Sequence, residues 1–187
     1  MSIYNALVAN KKNNVLCEFA EKSLNVQQFS RQLLTKAIES ETTQALDFKD
    51  HRFHSINQNG LTFLCLSENM PDDIVLSFLR DVQSSLLRQY DYEFLISAPA
   101  YKCSAFEKQI KELVEYYENR PRQSISGEII KDLSEVKNMV VKNITTLMDR
   151  ENTLDLAIGN SQKLKDSALK VHNFVSLICN LFIFFYL

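Results

Sequence analysis

The sequence predicts an α+β domain over residues 1–118, followed by one long helix built to pair with other helices. Three observations carry that prediction. Short β-compatible runs occur in pairs joined by polar turns, the pattern of antiparallel hairpins. Stretches with apolar residues three and four apart lie between and after those pairs, as amphipathic helices require. From Ile129 to Val171, finally, a 3.5-residue apolar period runs without a slip for about six heptads, which keeps one seam toward a partner and underwinds the helices into a left-handed supercoil.

Ile3–Ala9 (IYNALVA) and Val15–Ala20 (VLCEFA) flank the polar turn Asn10–Asn14 and read as the first hairpin. Asn25 suits the N-cap of a helix with Val26, Phe29, Leu33 and Ala37 on one face. Arg52–Asn57 and Leu61–Leu66 surround Asn59-Gly60, a strong hairpin signal because both residues accept positive φ. Met70-Pro71-Asp72-Asp73 opens a helix with Ile74, Phe78, Val82 and Leu86 inward, its aspartates suited to capping and to the helix dipole. Tyr92–Ile96 reads as a last strand, and Ser104–Glu107 as a capping box for a helix carrying Phe106, Ile110, Leu113 and Tyr117. Asn119-Arg120-Pro121-Arg122 breaks it, giving a linker at 119–124, a coiled-coil segment at 125–171 and a hydrophobic tail at 172–187. The first 118 residues thus form an antiparallel sheet with helices on its faces, a pattern shared by profilin-like modules and small subunits of trafficking complexes.

Composition narrows the function. A net charge of −2 argues against a nucleic-acid binder held by phosphate contacts. Cys17, Cys65, Cys103 and Cys179 lie far apart with no metal spacing, so they read as reduced, buried thiols of a cytosolic protein. The N-terminus has no basic-then-apolar leader. His51 and His54, three apart in a strand, do not share a face for a metal, and no nucleophile elbow or phosphate loop is present. Neither catalysis nor a cofactor is expected.

The seam itself runs through Ile129, Leu133, Val136, Val140, Asn143, Leu147, Arg150, Leu154, Ala157, Ser161, Leu164, Ala168 and Val171. One member is charged. A seam arginine either snorkels to water along its stem or sets register and partner number. Ala157, Ser161 and Ala168 suit a crowded layer of more than two helices and favour the second role.

Asp149-Arg150-Glu151 within that unbroken seam, then Leu154-Asp155-Leu156 and Gln162–Ala168, resembles the SNARE motif of an R-SNARE. The resemblance implies a parallel four-helix bundle with three Q-SNARE helices: a syntaxin-like chain plus either Qb and Qc helices or a two-helix Q-SNARE. Arg150 would then sit in the central ionic layer against three partner glutamines, with Asn143 matching the family's usual asparagine two layers upstream. Beside such a motif, the N-terminal text looks like a longin domain: Phe53-His54, then Asn59-Gly60 and Leu61–Leu66, then a long helix ending at Arg88-Gln89-Tyr90. The nearest likeness is to longin-type vesicle-associated membrane proteins of endosomal, lysosomal and vacuolar routes, and it covers residues 1–171. It implies a domain that folds back on the SNARE segment or binds coat adaptors and regulators through apolar surface. Phe29, Leu33, Leu34 and Phe53 are the candidates for that surface, and they fit an ordinary core at least as well.

The tail departs from the family. Phe174–Leu187 (FVSLICNLFIFFYL) supplies 14 mostly apolar residues, short of the ~17–20 that span a bilayer. A short anchor, an interfacial tail and a shortened C-terminus all fit. The membrane-attached arrangement is favoured, with Lys163, Lys165 and Lys170 on its cytosolic side. It would place the chain on the cytosolic face of endosomal, lysosomal/vacuolar or secretory vesicles.

Overall fold

The computed structural model describes residues 2–21, 26–36, 42–48, 51–119 and 138–143. Among the described residues, six strands form one sheet: β1 (Ser2–Asn10), β2 (Val15–Ala20), β3 (Thr43–Phe48), β4 (His51–Gln58), β5 (Leu61–Glu68) and β6 (Val140–Asn143), in the order β2-β1-β5-β4-β3-β6. The helices are α1 (Val26–Lys36), α2 (Asp72–Gln89), α3 (Tyr92–Ser97) and α4 (Glu107–Asn119), the last preceded by a 3-10 turn at Ser104–Phe106.

The strand pairings up to β5 are antiparallel, as the hairpin pattern predicts. Asn59 and Gly60 turn between β4 and β5 with φ of 53° and 71°, the left-handed pair that a tight hairpin demands. β5 is central, and its Leu61–Ser67 run is buried throughout because helices cover both faces. On one face α1 places Val26, Phe29, Leu33 and Leu34 over Leu46, Phe53, Leu64 and Leu66. On the other, α2 and α4 close over Val8, Ile56, Phe63 and Cys65 with Phe78, Val82, Ile110 and Val114. Inside that layer the Phe78 and Tyr117 rings meet edge to face at 5.7 Å.

Four expectations need correction. The sheet is mixed, because β6 runs parallel to β3. Residues 43–48, assigned to no element by the sequence reading, form β3. Tyr92–Ile96 is helical: only Leu95 of α3 is buried, whereas a strand would have to bury alternate residues, and Tyr92, Glu93 and Phe94 are exposed. Asp72 begins α2 without a side-chain cap, its carboxylate being engaged by β4. The N-cap expected at Asn25 lies outside the described residues, as do Cys179 and the tail. Cys17, Cys65 and Cys103 are free and buried, and burial pushes the Cys17 and Cys65 thiols well above their usual range.

Candidate functional site

The sheet would end at β3, a six-residue strand whose outer backbone groups need a partner. β6 supplies it. Gln44 registers with Val140, Ala45 with Val141, Leu46 with Lys142 and Asp47 with Asn143. Val140 and Val141 are β-branched and therefore suit a pleated ladder. Their side chains remain largely in solvent, at 39% and 55% exposure, so the backbone carries most of the contact. Met139, just upstream, is half-buried and packs against the α2–α4 core. At about 1 kcal/mol net per hydrogen bond, a four-residue ladder contributes only a few kcal/mol and is readily reversed.

Two of these residues, Val140 and Asn143, belong to the predicted seam. Positions three apart share one side of a helix but fall on opposite sides of a strand, so Val140 and Asn143 cannot join one seam while β6 persists. The extended form also stretches four residues over ~13 Å, against ~6 Å in a helix. In this arrangement the expected uninterrupted helix is interrupted at 140–143.

A charged network supports β3 from within the sheet. Arg52 on β4 donates to Asp47 of β3 through Nε and to Asp72 of α2 through Nη1, the latter at 2.9 Å. Asp72 Oδ1 also lies 2.8 Å from Nε2 of the fully buried His54. His54, followed by Arg52, holds the Asp72 carboxyl down at about 2, against the opposing pull of burial. Among the described residues, the Nδ1 atom of His54 is buried without a hydrogen-bond partner. The network thus ties the β3–β4 hairpin to the first turn of α2, fixing the edge on which β6 lies.

The four candidate surface residues lie elsewhere. Phe29, Leu33, Leu34 and Phe53 are interior, none more than 6% exposed, because α1 clamps them against the sheet. Ser30 holds α1 there by donating to Asn5 Oδ1 at 2.7 Å. As an exposed docking surface these four are corrected to core. Of the seam, only Val140 and Asn143 fall among the described residues, and Arg150 lies outside them. The β3 edge was missed because Gln44 and Asp47 dilute its apolar pattern, although Leu46 and Phe48 already alternate with it.

The family described as Longin, a regulated-SNARE-like domain, matches residues 16–110. The chain belongs to the longin family. It is also 28% identical over 174 residues to Vesicle-associated membrane protein 713 of Arabidopsis thaliana, covering 91% of this chain and 78% of that protein. Vesicle-associated membrane protein 712 of the same plant is 29% identical over 174 residues, with the same coverage. Vesicle-associated membrane protein 7A of Dictyostelium discoideum is 26% identical over 145 residues, 77% of this chain and 66% of that protein. Homology to longin-type vesicle-associated membrane proteins therefore extends over most of the chain. The family is one of trafficking domains and not of enzymes. Among the described residues no helix is long and apolar enough to cross a membrane.

Proposed function

We propose that this protein is an R-SNARE of transport vesicles whose longin domain restrains its own SNARE motif. The observation that carries the reading is β6: a piece of the seam is held as a strand on the longin sheet and must leave it to become helical. Residues 125–171 would assemble with three Q-SNARE helices, burying the seam and zippering toward a membrane-attached tail at 172–187. Arg150 sets register in the central layer, with Leu147 and Leu154 shielding it. The setting is the cytosolic face of endosomal, lysosomal/vacuolar or secretory vesicles, with coat adaptors reading the longin domain. The alternative is a non-fusogenic regulator that occupies Q-SNAREs. Resistance of the full chain, but not of a chain ending at Val171, to alkaline-carbonate extraction favours the fusogen; extraction of both favours the regulator.

Val141→Asp tests the restraint. Valine and aspartate have similar helix propensities, but aspartate is poorer in a strand by up to ~1 kcal/mol. The released population, and with it the rate of assembly with Q-SNARE helices, should rise about fivefold at that cost. The same substitution in a chain starting at residue 119 should leave the rate unchanged. Equal rates in the two full-length proteins would remove β6 as the brake. Arg150→Ala tests the central layer: the longin domain stays folded while the four-helix complex melts lower and loses register. A mutant complex that melts at the wild-type temperature with unchanged partner choice would exclude that role.

A further inference from the structure

The two ends of the longin sheet differ in chemistry. At one end β1 begins and α4 finishes, where Ile3 N donates to Glu118 Oε1 at 2.6 Å. Glu21, Glu68 and Glu118 gather there with Asp47, Asp72 and Asp73, against Arg52 on β4 and Lys142 on β6. The opposite end is built from the β1–β2 turn, the β4–β5 turn, the last turn of α2, α3 and the loop to Cys103. Hydrogen bonds tie these pieces together: Asn10 Nδ2 to Ala98 O at 2.9 Å, Tyr92 Oη to Asn59 O at 2.7 Å, and Tyr101 N to Val15 O at 2.7 Å.

This second end carries Lys11, Lys12, Arg88 and Lys102 against Asp91 and Glu93. It also holds Leu87, Tyr92, Phe94 and Tyr101, each 38–44% exposed, which are four of the seven large apolar side chains exposed among the described residues. The Arg31 guanidinium, 5.7 Å from the Tyr101 ring centroid, holds that ring on the surface. Lysines mixed with tyrosine and phenylalanine match the boundary between anionic headgroups and acyl chains: the cations meet lipid phosphate while the rings enter the interface.

We propose that this end of the longin domain is a membrane-contact surface for anionic phospholipid bilayers, with the acidic end turned away. The proposal rests on the reading that the tail attaches the chain to a membrane, since a surface with two net positive charges gains most when it is already held close. The tether does not choose the orientation. Thirty residues separate Asn143 from Phe174, a reach of ~100 Å when extended, whereas the nine-residue β1 spans only ~30 Å. Charge and exposed aromatics choose it.

The test uses the full chain with phosphatidylcholine vesicles and with vesicles in which part of that lipid is replaced by phosphatidylserine. Flotation with neutral vesicles reports on the tail, and amide hydrogen exchange at Lys11–Asn14 and Asp91–Lys102 reports on the surface. Exchange should slow several-fold on anionic vesicles, recover in high salt, and stay fast in K11E/K12E/K102E. Protection on anionic vesicles supports the surface even for a chain that fails to float on neutral ones. Equal exchange on the two vesicle types overturns it and leaves the exposed aromatics for a protein partner.

Discussion

Replacing Phe53 by alanine should destabilise the longin domain by about 3–5 kcal/mol. The side chain is fully buried on β4, between Leu46 of β3 and Leu66 of β5 in the sheet. Its ring lies 5.4 Å from that of Phe29, which in turn sits 5.1 Å from Phe48. Truncation therefore removes a large apolar surface and leaves a cavity that strands hydrogen-bonded on both sides cannot collapse to fill. A loss of that size consumes about a fifth or more of the ~5–15 kcal/mol that a domain usually has. Urea denaturation of wild type and mutant measures it directly. A role confined to partner docking would predict a change within about 0.5 kcal/mol and an unaltered midpoint. Phe53→Leu, which keeps most of the volume, should cost less than about 1.5 kcal/mol.

The same residue shows what the sequence could and could not convey. Its apolar character was legible, but whether it faced solvent depended on α1, and α1 is held over the sheet by a buried hydrogen bond between Ser30 and Asn5. Two polar residues 25 positions apart leave no local pattern. Hairpins were legible where turn chemistry was explicit, as at Asn59-Gly60. β3 was not, because the strand combines Gln44 and Asp47 with its apolar residues and finds its identity only between β4 and β6. α3 misled for the opposite reason: aromatic and β-branched residues favour a strand locally, but the loop that follows supplies strand β2's outer bonds through Tyr101 N and Cys103 N. β6 is the most instructive case. A 3.5-residue period points to helical partners, while a strand edge in the same molecule pairs with Val140 and Val141. Periodicity along one chain cannot rank those two states, since the difference lies in which surface is available.

Asp72 joins stability to that edge. Asp72→Asn should destabilise the domain by about 1–3 kcal/mol near neutral pH, because Arg52 and the buried His54 both lose a charged acceptor. The pH dependence follows from the direction of the shift. A carboxyl whose native value is lowered from 3.8 to about 2 contributes fully above the unfolded value and loses that contribution as pH falls through the native one. Denaturation curves of wild type and mutant should therefore differ by a constant amount above pH ~5 and converge between pH 4 and 2. A difference that persists undiminished at pH 2 would mean that the substitution acts through packing and not through charge. The consequence for β6 is sharper still. Arg52 bridges Asp72 to Asp47, the β3 residue in register with Asn143, so loosening α2 from β4 also frees the strand that receives β6. Hydrogen exchange at 140–143 should then quicken in Asp72→Asn at neutral pH while β1 and β5 keep their protection. Uniform loss of protection across the sheet would instead make the network a general brace, with no selective hold on the edge.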